Sequence, residues 1–107
     1  MGTIMQGTTP SVTIKINKAQ FLLSQVTKIE LYVRNDGKTK TYSNDRLQIS
    51  TTANTVTLTF TEAETAAMNP KSAVIIQGRF WLTNGRIAGI NKISFTVADM
   101  MEVGADG

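Results

Sequence analysis

A chain of 107 residues with neither cysteine nor histidine is one domain's worth of sequence, and it has no means to make a disulfide, a thiolate metal site, a thiol nucleophile or an imidazole base. Its net charge of +3 comes from 11 basic and 8 acidic residues scattered along the chain, unlike the dense basic stripe of a nucleic-acid binder. No apolar run approaches the ~20 residues that cross a bilayer, and Met1 to Gln6 lacks the basic and apolar regions of a secretory signal. These absences predict a non-enzymatic protein with no cofactor, no metal, no nucleic-acid partner and no membrane association.

Read in chain order, apolar residues recur at period two, the spacing of half-buried strands. Val12, Ile14 and Ile16 alternate with Thr13 and Lys15; Ile29, Leu31 and Val33 with Glu30, Tyr32 and Arg34; Val56, Leu58 and Phe60 with Thr57 and Thr59. Ile76, Phe80 and Leu82 share a face with Gly78, and Ile93, Phe95 and Val97 alternate with Ser94 and Thr96. Phe21, Leu22 and Leu23 break the alternation and predict a short turn near residues 19–24. Thr61 followed by Glu64 fits a capping box, which predicts one short helix near residues 61–69, stopped by Asn69-Pro70. Gly78 and Gly89 fall inside strand patterns and predict a bulge or a close backbone approach. Five strand patterns separated by turns predict an all-β sandwich or barrel over residues 10–98, with arms at 1–9 and 99–107.

Two turns set which side chains share a face, because a one-residue slip exchanges the faces of a strand. At Asn35-Asp36-Gly37, a three-residue loop keeps lysine off the core face, so it is the expected one. It sends Lys38, Lys40 and Tyr42 outward beside Tyr32 and Arg34 as one exposed patch. That patch reads as a solvated hairpin, and less readily as a nucleic-acid or glycan surface. At Asn84-Gly85, a two-residue type I′ turn pairing Leu82 with Ile87 is expected. It places Ile75, Gln77, Arg79 and Trp81 on an outer face with Ala88 and Ile90. So apolar a face is either an interface or is covered by another part of the chain. Met100, Met101 and Val103 are apolar residues of the C-terminal arm that could dock on a neighbour.

Several stretches carry a family resemblance. They are Leu58 through Met68, then Ile76-Gln-Gly-Arg-Phe-Trp81, then Asn84-Gly85, then Ile93-Ser-Phe-Thr-Val97, with the lead-in Gly7-Thr-Thr-Pro-Ser-Val-Thr-Ile14. Over about residues 6 to 98 the layout is similar to small tail or baseplate-associated structural proteins of bacteriophages and prophages, and resembles the N-terminal domain of phage baseplate upper proteins. The resemblance implies an immunoglobulin-like antiparallel β-sandwich of about 7–8 strands. It further implies a virion protein of the tail or baseplate that works through protein–protein contacts as an assembly or adaptor module, with copies of itself (a homo-oligomer) and other virion proteins as partners. The chain ends at Gly107 with no coiled coil or receptor-binding domain, which favours a free-standing adaptor or head decoration subunit. A carbohydrate- or surface-binding sandwich is the alternative reading.

Overall fold

A computed structural model describes residues 2–99. It contains β1 (Thr3–Met5), β2 (Ser11–Lys15), β3 (Val26–Asn35), β4 (Lys38–Ser43), β5 (Leu47–Ser50), β6 (Thr55–Thr59), a helix α1 (Glu62–Ala66), β7 (Val74–Leu82) and β8 (Ile87–Ala98). Short 3-10 turns at Leu23–Gln25 and Asn44–Arg46 lead into β3 and β5. The strands form a five-stranded sheet ordered β1-β8-β7-β3-β4 and a three-stranded sheet ordered β2-β6-β5. Every pairing is antiparallel except that of β1 with β8, which is parallel. This is the immunoglobulin-like arrangement, in which β8-β7-β3-β4 take the places of strands G, F, C and C′, and β2-β6-β5 those of B, E and D.

The alternation seen in the sequence becomes the two sides of each sheet. Val12 and Ile14 are buried while Ser11, Thr13 and Lys15 are exposed. On β3, Ile29, Leu31 and Val33 face inward and Lys28, Glu30, Tyr32 and Arg34 face outward. Val74, Ile76 and Phe80 of β7 meet Val56 and Leu58 of β6 in the core, and Phe21 packs on Phe80 with ring centroids 5.0 Å apart. Many immunoglobulin domains also bridge their sheets with a disulfide, worth about 2–4 kcal/mol. Each fully buried aliphatic or aromatic side chain contributes about 1.5–3 kcal/mol, so a few of these core residues supply as much.

Among the described residues two polar ones, Asn54 and Thr65, are fully buried, and each ties a loop to the core. Asn54 has φ +58°, a left-handed conformation that asparagine tolerates better than most residues. Its side chain accepts from the Leu23 amide (2.7 Å) and donates to the carbonyls of Ile16 (2.9 Å) and Phe21 (3.1 Å). It thereby closes the irregular segment where Phe21 and Leu23 break the strand pattern. Thr65 accepts from the Thr8 amide (3.1 Å) and donates to the Thr8 carbonyl (2.7 Å), fastening the N-terminal segment to α1.

The structure departs from the expected organisation at its start. Residues 1–9 were expected as an arm outside the core, but β1 is a sheet strand and Ile4 is 1% exposed within the core. A three-residue strand is too short to show a period, and its pairing with β8 is entirely non-local. The expected irregularity near Gly78 is present, because the register of β7 on β8 shifts between Ile76 and Gly78.

Replacing Asn54 with alanine leaves one buried amide and two carbonyls without partners, at a left-handed position. Each orphaned group costs about 1–3 kcal/mol. Asn54→Ala is therefore expected to lower stability by about 3 kcal/mol or more, read as a lower denaturant midpoint at unchanged m-value.

Candidate interaction face

The turns that set the faces are the reverse of those expected. Asn35 pairs with Lys38 and Val33 with Lys40, so the loop is the two residues Asp36 and Gly37, both left-handed at φ +56° and +76°, as a type I′ turn requires. Lys38, Lys40 and Tyr42 therefore turn to the inner side with Val33 and Leu31, while Thr39, Thr41 and Ser43 face outward. Tyr42 is a core residue, 3% exposed. At the second turn Trp81 pairs with Ile87. The Leu82 amide donates to the Arg86 carbonyl (2.8 Å) and the Gly85 amide to the Leu82 carbonyl (3.0 Å). The loop is thus Thr83-Asn84-Gly85, with Gly85 left-handed at φ +88°.

These registers redraw both expected patches. Ile90 lies opposite Gly78, and Ala88 opposite Phe80, so both belong to the inner face, where they pack half-buried against the core. Ile87 takes Ile90's place on the outer face and is 55% exposed. The sequence signal for it was the spacing from Trp81, legible only under the three-residue turn. Tyr32 and Arg34 leave the patch assigned to the first hairpin and join Trp81, Arg79, Gln77 and Ile75 on one continuous outer face, since Tyr32 pairs with Gln77, Glu30 with Arg79, and Lys28 with Trp81. Met100 and Met101 lie outside the described residues.

The centre of this outer face is a ladder of aromatic rings and cations. Lys28 Nζ stands 4.7 Å from the Trp81 ring, and the Arg79 guanidinium stands 5.1 Å from Trp81 and 5.5 Å from Tyr32, within the ~6 Å range of cation–π attraction. Arg79 Nε donates to the Tyr32 hydroxyl (2.7 Å), which donates to Glu30 Oε1 (2.6 Å). Lys28 Nζ lies 3.5 Å from the same carboxylate and Arg79 Nη2 3.7 Å. The Tyr32 hydroxyl and, through their charges, Lys28 and Arg79 hold the Glu30 carboxyl below its ordinary range, against the opposing effect of burial. Arg79 Nε, the Tyr32 hydroxyl, Lys28 Nζ and both oxygens of Glu30 have partners within the ladder, and the two cations flank the Trp81 ring. The rings are thus held in place before any partner arrives, which lowers the ordering cost of binding.

On the opposite side of the same sheet, α1 carries a second charged centre. Thr61 caps α1 as expected: Glu64 N donates to Thr61 Oγ1 (3.1 Å), and Glu64 Oε1 accepts from Thr61 N (2.8 Å). The Glu64 side chain does more than cap. Arg46 grips it with Nη2 on Oε1 and Nη1 on Oε2, both at 3.0 Å. Lys40 Nζ and the Tyr42 hydroxyl each donate to Oε2 at 2.9 Å. Sequence reasoning assigned Glu64 the cap alone, because its other partners come from β4 and the turn before β5. The bonds from Arg46 first, then the Thr61 amide, Lys40 and Tyr42, hold its carboxyl far below the usual range despite burial. Burial and Glu64 push the Tyr42 hydroxyl far up. Each oxygen of Glu64 is occupied by donors, which makes it a structural clasp and leaves it no lone pair directed at a substrate. Among the described residues, no set of three or more acidic groups converges as a metal site would require, and no helix is long and apolar enough to cross a membrane.

No protein-family model matches the chain, and no curated protein matches it.

Glu64 also fixes the expected acid response. Its folded-state pKa is depressed, so the stability it contributes is full above its ordinary value of 4.5. That stability is lost as pH falls below 4.5, where the unfolded chain takes up the proton first. Glu64→Gln is expected to cost about 2 kcal/mol at pH 7, as loss of a charged hydrogen-bond partner does. The gap to the unmodified protein should shrink steadily in denaturant titrations between pH 5 and about pH 2.

Proposed function

We propose that the protein is a non-catalytic structural module of a phage or prophage virion. In this reading it assembles in the tail or baseplate region through protein–protein contacts, with copies of itself and with other virion proteins. The observation that carries the binding role is the outer face of β3, β7 and β8. There Trp81, Arg79 and Tyr32 are pre-ordered in an open, flat surface bounded by Ile87 at one end and Ile75 at the other. Tryptophan, tyrosine and arginine are the residue types that dominate interface energetics when a partner removes them from water. A strand face of this kind can meet a second sheet face to face, as sandwich layers do. The virion context rests on the resemblance in layout of residues 6 to 98.

The carbohydrate reading is the weaker one. A sugar stacks on a bare ring face, whereas Lys28 and Arg79 already stand within 4.7 and 5.1 Å of the Trp81 ring. That arrangement suits a protein surface offering carboxylates and apolar side chains together.

Trp81 and Arg79 point away from the core, so Trp81→Ala and Arg79→Ala should leave the folded structure intact. By light scattering and sedimentation, the unmodified protein is expected to form oligomers. Each variant should weaken self-association by roughly tenfold or more, in line with interface anchors, while Thr39→Ala on the same face should not. A monomeric unmodified protein that also fails to join isolated particles would overturn the assembly reading. A change in tryptophan fluorescence with sugars would replace it with the carbohydrate one.

A further inference from the structure

Apart from that outer face, two features meet at β4. The first is an open sheet edge. Among the described residues β4 pairs with β3 alone, and the pair Asn35–Lys38 closes the two-residue turn. The alternation of an antiparallel ladder then gives the amides of Lys38, Lys40 and Tyr42 to β3 and turns those of Thr39, Thr41 and Ser43 to the open side. The second is a cleft of about 410 Å³ between the inner side of this hairpin and α1. Its walls are Val33, the Tyr42 ring, Ala63, Ala67 and Met68; Lys38 and Lys40 stand on its β4 side, and Asp36 and the clasped Glu64 also line it. A strand added to β4 places alternate side chains on that same inner side, directly at the cleft. An edge supplies main-chain hydrogen bonds and a pocket beside it supplies side-chain selection, which together make a strand-addition site.

We infer that the β4 edge and the cleft beside it form a second binding site, which takes an extended acidic segment of a partner protein as an added strand. Charge decides the occupant. Glu64 is consumed by Arg46, Tyr42 and Lys40, and among the described residues the Lys38 side chain makes no hydrogen bond or ion pair. Lysine on an edge ordinarily discourages pairing. Here it discourages a second copy in particular, because edge-to-edge pairing of two β4 strands brings the lysines of both copies together. A strand with carboxylates beside Lys38 and Lys40 meets opposite charge instead, and an apolar side chain between those carboxylates reaches Ala63, Ala67 and Met68. The β4 register is essential, since under a three-residue turn the lysines would lie on the other side of the sheet from the cleft.

The test uses the intact protein and a fluorescein-labelled peptide, Thr-Glu-Thr-Leu-Thr-Glu-Thr, blocked at both ends. Binding is followed by fluorescence polarisation and by amide shifts. The expected result is saturable, salt-sensitive binding that shifts the amides of Thr39, Thr41 and Ser43. It should weaken about tenfold for Lys38→Glu, as loss of a charge pair does. It should be lost when the peptide's edge-facing amides are N-methylated, a control that leaves the protein untouched. Ala67→Trp, which fills the cleft, should abolish preference for leucine over alanine at the central position. Absence of binding, binding equal for a lysine-substituted peptide, or shifts confined to the Trp81 face would each overturn the inference. So would a β4-mediated dimer that Thr41→Pro dissociates, because the edge would then belong to a second copy. These readouts are independent of Trp81→Ala, so failure here leaves the outer-face reading standing and the reverse also holds.

Discussion

The carboxylate of Glu64 is where the separate parts of this sandwich are joined. It caps its own helix through Thr61, holds the guanidinium of Arg46 from the turn between the two sheets, and accepts from Lys40 and Tyr42 on β4. Arg46 in turn donates to the Thr59 carbonyl (3.0 Å) at the end of β6 and stands 4.9 Å over the Tyr42 ring, which meets Phe60 edge-on. Helix, sheet edge and crossover are thus tied at one point. The carboxylate has donors on both oxygens, so its burial does not leave an unpaired charge, the condition under which a buried ion becomes costly.

That clasp explains why β4 takes the register it does. The two-residue turn puts Lys40 on the core side of the sheet, which on hydrophobic patterning alone is the poorer choice. It also puts Tyr42 in the core, and it lets Lys40 reach across the cleft to a carboxylate. Burying an aromatic side chain contributes about 1.5–3 kcal/mol. A lysine at the sheet edge loses little, because its long stem lets the ammonium stay at the surface, with a side chain still 60% exposed. The slip then has a consequence on the far side of the sheet. With Lys38, Lys40 and Tyr42 removed from it, the outer face is left with threonines and serine on β4, and Tyr32 stands free to meet Arg79.

The division of charge between the two sides of one sheet gives the molecule two unlike surfaces. On the outer side the cations lie over aromatic rings and share the single carboxylate of Glu30, forming a flat, ordered surface. On the inner side, at the β4 edge, the charges surround a small apolar cleft and an open row of amides. A flat aromatic surface suits a broad partner, and an edge beside a cleft suits a narrow extended one.

By itself the sequence determined the class and most of the elements: period-two alternation marked β2, β3, β6, β7 and β8 but not β1 or β5, Thr61 and Glu64 marked the helix and its cap, and the missing cysteine and histidine bounded the chemistry. Those signals are local, carried by residues a few positions apart. It could not determine the two turn lengths, because Asp36-Gly37 and Asn84-Gly85 are each compatible with two- and three-residue loops. The choice rests on what the strand meets across the sandwich, with Glu64 waiting for Lys40 and Tyr42 and the core accepting Ala88 and Ile90 in place of Ile87. The same holds for Ile4 in β1, whose partner strand lies at the other end of the chain. The outer face of Trp81, Arg79 and Tyr32 and the cleft beside β4 follow from those choices, so only the tertiary structure could decide which side chains share a surface.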